Sequence, residues 1–253
     1  MTPYERILRA LNIERHLAGR QLARLLYPEE YKNDASRIYQ RVMKNLKTME
    51  REGLLQSDSY GVKIEGKEKL WRIFPTASED SPKRNQERIL AEFGVTPTNW
   101  KIHRSLYEHE KSCGDIFVSL VLTGRLVEWQ GEGDQKAGFR HDRLFRIDDP
   151  VNYLEEERGN QGLGKLRDKL THYADHFRKN RQPFNVLFAV DTEPEIERLA
   201  GLFEEFKLGN SYGVVLQDEL VLDPLSARVT TRFDTLLAAD FCSNYHSKYV
   251  PSR

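Results

Sequence analysis

The sequence predicts an α+β chain in two modules, a small helical module closed by a β-hairpin and a larger one in which strands and helices alternate. Three observations carry this. Apolar residues recur three times at helical spacing before Gly53, and two short strand patterns follow. The stretch 76–86, TASEDSPKRNQ, has the Pro-, Ser- and charge-rich composition of a linker. Beyond it, helical and strand patterns interleave as in α/β and α+β domains. The expected organisation is 1–75, linker 76–86, second domain 87–243 and tail 244–253, and two domains fit a chain of 253 residues.

In the first module Tyr4, Ile7, Leu8 and Leu11 form one apolar stripe, and Leu17, Leu22, Leu25 and Leu26 a second. A third runs from about Asp34 to Glu52, with Ile38, Val42, Leu46 and Met49 on one face and Gly53 placed to end it. Residues 54–56 and 69–74 read as strands joined by a polar, glycine-containing loop. In the second module a helix is expected at about 102–122 and strands at 125–130, 139–147 and 151–157. The helix 163–180 then carries Leu163, Leu166, Leu170, Tyr173 and Phe177 on one side. A buried strand at 184–190, FNVLFAV, a helix at 193–206 and closing strands at 212–217 and 219–222 complete the prediction.

Composition narrows the function. Hydrophobic residues are 39% and charged residues 31%, which excludes wholesale disorder. No apolar run approaches the roughly 20 residues needed to span a bilayer, so no membrane partner is expected. Residues 1–6 lead straight into a charged amphipathic pattern, so no signal peptide is expected and a cytoplasmic location is. Cys113 and Cys242 match no zinc or redox spacing and read as buried thiols. The formal charge is zero, but residues 1–75 hold 15 Lys/Arg against 10 Asp/Glu and the remainder 24 against 29. A basic front and an acidic back point to nucleic acid at one end and a carboxylate cluster at the other.

The third helix carries the basic signal. At about 100° per residue, Arg37, Arg41, Lys44, Lys47 and Arg51 fall roughly opposite its apolar stripe. Three helices followed by a two-stranded hairpin is the order of a winged helix-turn-helix, in which the third helix enters the major groove. Gln40, Arg41 and Asn45 are placed to reach base edges, and Lys63, Lys67 and Lys69 in and beside the hairpin loop to meet phosphates. Double-stranded DNA is therefore the expected partner. The alternatives are a solvated charged face and a protein-interaction module.

In the second module, a turn centred between Asp148 and Asp149 puts Asp142 opposite Glu155 and Arg140 opposite Glu157. Glu155 and Glu157 share a strand face. Like charges facing one another need a cation, and Mg²⁺ with hard oxygen ligands would supply it. Glu132, after the preceding strand, is the expected third ligand beside Asp142 and Glu155. Lys165, Lys169, His172 and His176 form a stripe on the following helix, where Lys169 would stabilise developing charge, and His109 is a further candidate. The other reading is an acidic strand end in solvent, offset by Arg140, Arg143 and Arg158.

These residues resemble a family. The second module is similar to the PD-(D/E)xK, restriction-endonuclease-like αβββαβ fold, with the signature at His141-Asp142 and Glu155-Glu156-Glu157. The whole layout resembles the replication-relaxation family of plasmids and mobile elements. Trp129 and Glu132 resemble its W-x-x-E, and Asp142 its R-P-D aspartate, with His141 in place of the proline. Leu154–Gly159 resembles L-E-x-D-R-G, Lys169 and Tyr173 resemble K-x-x-x-Y, and His109 stands where the family has a histidine. The resemblance implies a DNA-binding protein of plasmid or mobile-element maintenance whose nuclease-like domain nicks or cleaves DNA with Mg²⁺. Asp142, Glu155, Glu157 and Lys169 would be its catalytic residues. One departure is that Glu157 stands where an active nuclease usually has lysine. The alternative is therefore a non-catalytic regulator whose second domain mediates homodimerisation or binds other mobile-element proteins.

Overall fold

The computed structural model describes residues 1–58, 68–73, 106–131, 141–159, 162–180 and 184–244. They belong to two compact units, Met1–Val118 and Ser119–Arg253. The expected linker, Arg140 and all of the expected tail except Asn244 lie outside the described residues.

Unit 1 begins with α1 (Pro3–Ile13), whose first turn is capped by Thr2, the Oγ1 accepting from the Glu5 N–H at 3.2 Å. Then come β1 (Leu17–Ala18), α2 (Gly19–Leu26), the short α3 (Pro28–Asn33) and α4 (Ala35–Arg51). Asp34 caps α4 by accepting from the Arg37 N–H at 3.0 Å. Gly53 ends the turn beyond it with φ 73°, a left-handed conformation that glycine adopts without strain. Ile38, Val42, Leu46 and Met49 are all buried, as their spacing predicts. β2 (Leu55–Asp58) and β3 (Leu70–Ile73) pair antiparallel, and β3 also pairs with β1, giving the order β1-β3-β2. Leu17 therefore belongs to a strand and not to the second helix. Its partner is Trp71, far along the chain, and a two-residue strand has no period to read.

The next helix, α5 (Tyr107–Leu122), contains the division between the units. Its first part packs within unit 1. Gln21 accepts from the Ala18 N–H at 2.7 Å and donates to the Lys111 carbonyl at 2.7 Å. Gly114 makes room for it, since a Cβ there would lie 2.8 Å from Gln21 Oε1.

Unit 2 is built on one seven-stranded mixed sheet among the described residues, ordered β10-β9-β8-β7-β6-β5-β4. The chain runs β4 (Glu128–Gln130), β5 (Arg143–Arg146), β6 (Val151–Glu157), α6 (Leu163–Asn180), β7 (Phe184–Val190), α7 (Glu193–Glu205) and β8 (Tyr212–Leu216). Then follow α8 (Gln217–Leu222), β9 (Arg228–Thr231), β10 (Thr235–Leu237) and α9 (Ala238–Ser243). The β6–β7 and β7–β8 pairs are parallel, with α6 and α7 as crossovers. All of β7 is buried. Its Val186, Phe188 and Val190 pack with Leu166 and Leu170 of α6 and Leu199 and Phe203 of α7. On the opposite face Asn152 and Asn185, register partners, donate to the Cys242 and Phe241 carbonyls of α9 at 3.1 and 3.0 Å. Residues 219–222 are helical, not a strand. Asp218 and Glu219 sit in the first turn of α8, where carboxylates favour a helix N-terminus.

Candidate functional site

β5 and β6 pair as Arg143 with Leu154, Leu144 with Tyr153 and Phe145 with Asn152, the register that the Asp148–Asp149 turn dictates. One step further would bring Asp142 opposite Glu155. The ladder ends at Arg143, and the Asp142 carboxylate reaches across to accept the Glu156 N–H at 2.8 Å.

Glu155, Glu156 and Glu157 are all buried, at 1%, 4% and 1% exposure, so the acidic end of β6 is not solvated. Alternation turns Glu155 and Glu157 toward α6, where Lys169 donates to both, at 2.6 Å to Glu155 Oε2. Tyr173, one turn along and fully buried, donates to the other oxygen of Glu155. Glu156 pairs with Arg158 Nε at 2.6 Å. Glu157 Oε2 is buried with no hydrogen-bond partner among the described residues.

Three carboxylates, Asp142, Glu155 and Glu157, act on one ammonium. Burial first, then the Asp142 charge, push Glu155 up to about 8, against the pull of Lys169. Burial also raises Glu157, again opposed by Lys169. Lys169 is lowered by burial, but Glu155, Asp142 and Glu157 outweigh this and hold it above the usual lysine range. The two directions agree physically. The carboxylates hold the proton on the Lys169 ammonium, and burial favours the protonated form of Glu155.

Beside this cluster His141 is buried with its ring 4.8 Å from that of Tyr153, and burial lowers it to about 4, so it is neutral at pH 7. His176 stacks near Tyr153 and Phe184, while Lys165 and His172 are exposed; the expected cationic stripe contributes only Lys169 to the cluster. Trp129 packs on Phe145, its register partner, at 6.1 Å. Gly159 has φ 46°, and a Cβ there would meet Glu195 Oε1 at 2.5 Å. Glu195 is a positioning group that the sequence reading missed. Its Oε2 accepts from the Thr192 N–H at 3.0 Å and the Asp191 N–H at 3.2 Å, and its local signal was the Thr192-x-x-Glu195 capping box.

The expected ligand Glu132 lies outside the described residues. Among those described, no group of three His, Cys, Asp or Glu is arranged to hold a metal ion. The Lys169 ammonium bridges Glu155 and Glu157. His109 lies in α5, in unit 1, with Nε2 3.9 Å from Cys113 Sγ.

In unit 1, Arg37, Gln40, Arg41, Lys44, Lys47 and Arg51 are all exposed on α4, opposite its buried stripe, and Asn45 is half-buried. Glu50 accepts from the Ser57 Oγ at 2.6 Å and its N–H at 3.2 Å, tying β2 to the end of α4. Lys63 and Lys67 lie outside the described residues.

A mixed α/β protein with an exposed cationic helix in one unit and a buried carboxylate–lysine cluster in the other is the class these features define. The family model for replication-relaxation proteins matches residues 8–188. The chain belongs to that family, which links it to replication and mobile elements. Comparison with curated proteins gives no match. No described helix is long and apolar enough to cross a membrane.

Proposed function

We propose that the protein is a DNA-binding protein of plasmid or mobile-element replication and maintenance, with unit 1 a winged helix-turn-helix and unit 2 a nuclease-like domain. The observation that carries this is α4, whose buried stripe docks it while five exposed cations face away. The sheet order β1-β3-β2, with β1 between α1 and α2, supports the same reading, and the Glu50–Ser57 hydrogen bonds make α4 and β2 neighbours. Five cations on one helix favour a polyanion. The test is duplex binding by fluorescence anisotropy across a salt series. Affinity falling steeply with log salt supports the reading, and no binding at low salt removes it.

A second reading, that unit 2 nicks or cleaves DNA, is favoured by the gathering of Asp142, Glu155, Glu157 and Lys169 at the end of β6. Lys169 is 21% exposed and uses two of its three N–H groups on carboxylates, so the third is available to a phosphoryl oxygen. Supercoiled plasmid with Mg²⁺ or Mn²⁺, wild type beside Asp142→Ala, separates the outcomes. Nicking lost in the variant supports catalysis. Salt-sensitive binding without nicking supports a regulator whose second domain serves dimerisation or partner binding.

A further inference from the structure

We propose that Arg6 and Arg41, gathered on the ring of Tyr27, form a phosphate-binding pair that extends the nucleic-acid surface of α4 onto α1. The proposal rests on the DNA-binding reading above and adds to it a site on a different element. Tyr27 follows the last residue of α2 and is 7% exposed. The Arg41 guanidinium carbon lies 4.7 Å from its ring centroid and that of Arg6 lies 5.2 Å away. The two charges are thus no farther apart than the sum of those distances, a span that one phosphate or two neighbouring ones can bridge, since phosphates on a strand recur every ~3.4 Å of helix axis.

The arrangement leaves the arginines able to bind. Stacking engages the flat face of a guanidinium, whereas phosphate recognition uses its N–H edge, so the two do not compete. Arg6 spends one nitrogen, Nη2, on the Leu26 carbonyl at the C-terminus of α2, which fixes its orientation. Arg41 is exposed and makes no hydrogen bond with a described residue. Neither arginine has an ion-pair partner among the described residues. Of the acids in the neighbouring first turns, Glu5 is held by Arg9 at 3.0 Å and Glu29 by Lys32 at 2.9 Å, while Glu30 is exposed and pairs with neither arginine. Two like charges held together without a carboxylate favour an anion brought from outside.

The occupant is the nucleic-acid backbone and not an acidic peptide. Arg41 also belongs to the stripe Arg37–Arg41–Lys44, so the pair continues a row of cations along α4 rather than forming an isolated pocket. A regular row of like charges matches the regular phosphates of a duplex.

The experiment is anisotropy of a fluorescent duplex against the full-length wild type, Arg6→Gln and Arg6→Lys over a potassium chloride series, with circular-dichroism melts as a folding control. Arg6→Gln should weaken binding to duplexes of unrelated sequence alike and flatten the log–log salt slope by about one. Arg6→Lys should keep the slope and lose severalfold in affinity, because a point charge lacks the fork. A folded Arg6→Gln protein with wild-type slope overturns the pair. Should Arg6→Gln fail to fold for want of its bond to the Leu26 carbonyl, wild-type affinity in Arg6→Lys overturns it instead. A wild type that binds no duplex sinks the DNA-binding reading itself, a different result from binding that ignores Arg6.

Discussion

The two units handle charge in opposite ways. On α4 the cations stand in water, and none of Arg37, Arg41, Lys44 and Lys47 is held by a carboxylate among the described residues. At the end of β6 the charges are inside, and Glu155 and Glu157 satisfy Lys169 from 1% exposure. Exposed, unpaired charge contributes little to folding and is available to a ligand. Buried charge must be compensated within the fold, so its loss is felt first in stability. The contrast predicts that substitutions on α4 change binding and leave melting alone, while substitutions around β6 change melting.

The largest effect should come from Lys169→Met. It strands Glu155 and Glu157 without their shared cation, and removing one partner of a buried ion pair costs about 3–5 kcal/mol. Urea denaturation followed by tryptophan fluorescence would measure it. Adding Glu155→Gln to the same chain should recover part of the loss, because the site then holds one ionisable carboxyl fewer. A Lys169→Met protein as stable as wild type would show that the carboxylates are neutral without it, and the comparison would break.

On the exposed side, Arg37→Gln, Arg41→Gln and Lys44→Gln combined should lower the log–log salt slope of duplex binding by roughly 2.7, about 0.9 for each phosphate no longer neutralised. The melt should stay within about 1 kcal/mol of wild type, most of it from the lost contact of Arg41 with the Tyr27 ring. A large loss of stability would place these side chains in the fold rather than on its binding face.

Acid–base behaviour sharpens the same contrast. Glu155 is raised from an ordinary 4.5 to about 8, so the folded state binds its proton more tightly than the unfolded chain does. That contribution to stability is complete below pH 4.5 and is lost as pH rises through about 8, amounting to about 5 kcal/mol at most. Melts from pH 5 to 8.5 should therefore decline in wild type and decline less in Glu155→Gln, where Glu157, also raised by burial, still titrates.

Much of this was legible along the chain, and what was not has a common cause. The amphipathic α4 and the β5–β6 register follow from local spacing and one turn, so sequence alone placed Ile38, Val42, Leu46 and Met49 inside and Asp142 near Glu155. The pairing of Leu17 with Trp71 depends on a distant strand, and local periodicity carries no trace of it. Residues 217–222 follow β8 without a break, and a short apolar alternation there did not separate strand from helix. The exclusion of water from Glu155–Glu157 depends on α6 lying over β6, so an acidic run in isolation reads equally well as solvated. Position 159 was different. Its glycine was visible as part of a motif, and the structure supplies the reason in a positive φ and the nearness of Glu195. Gly159→Ala should cost about 2 kcal/mol, part from left-handed backbone and part from displacing the Glu195 cap, read as a lower urea midpoint.

Glu50→Ala should give the smallest effect. Glu50 is, like Glu155, a carboxylate joining a helix to a strand, but it sits partly exposed and, among the described residues, bonds only Ser57. Water can replace part of what the carboxylate supplied, so the loss should be about 1 kcal/mol, well below that of Lys169→Met. The change also removes a negative charge from the last turn of α4, beside Lys47 and Arg51. Duplex affinity should then hold or rise slightly, with the rise fading as salt screens the added field. If Glu50→Ala instead weakened DNA binding tenfold at an unchanged melt, the carboxylate would matter by holding β2 against α4 for the duplex. The first unit would then also rely on an internal ion for its function, and the division drawn between the two units would have to move.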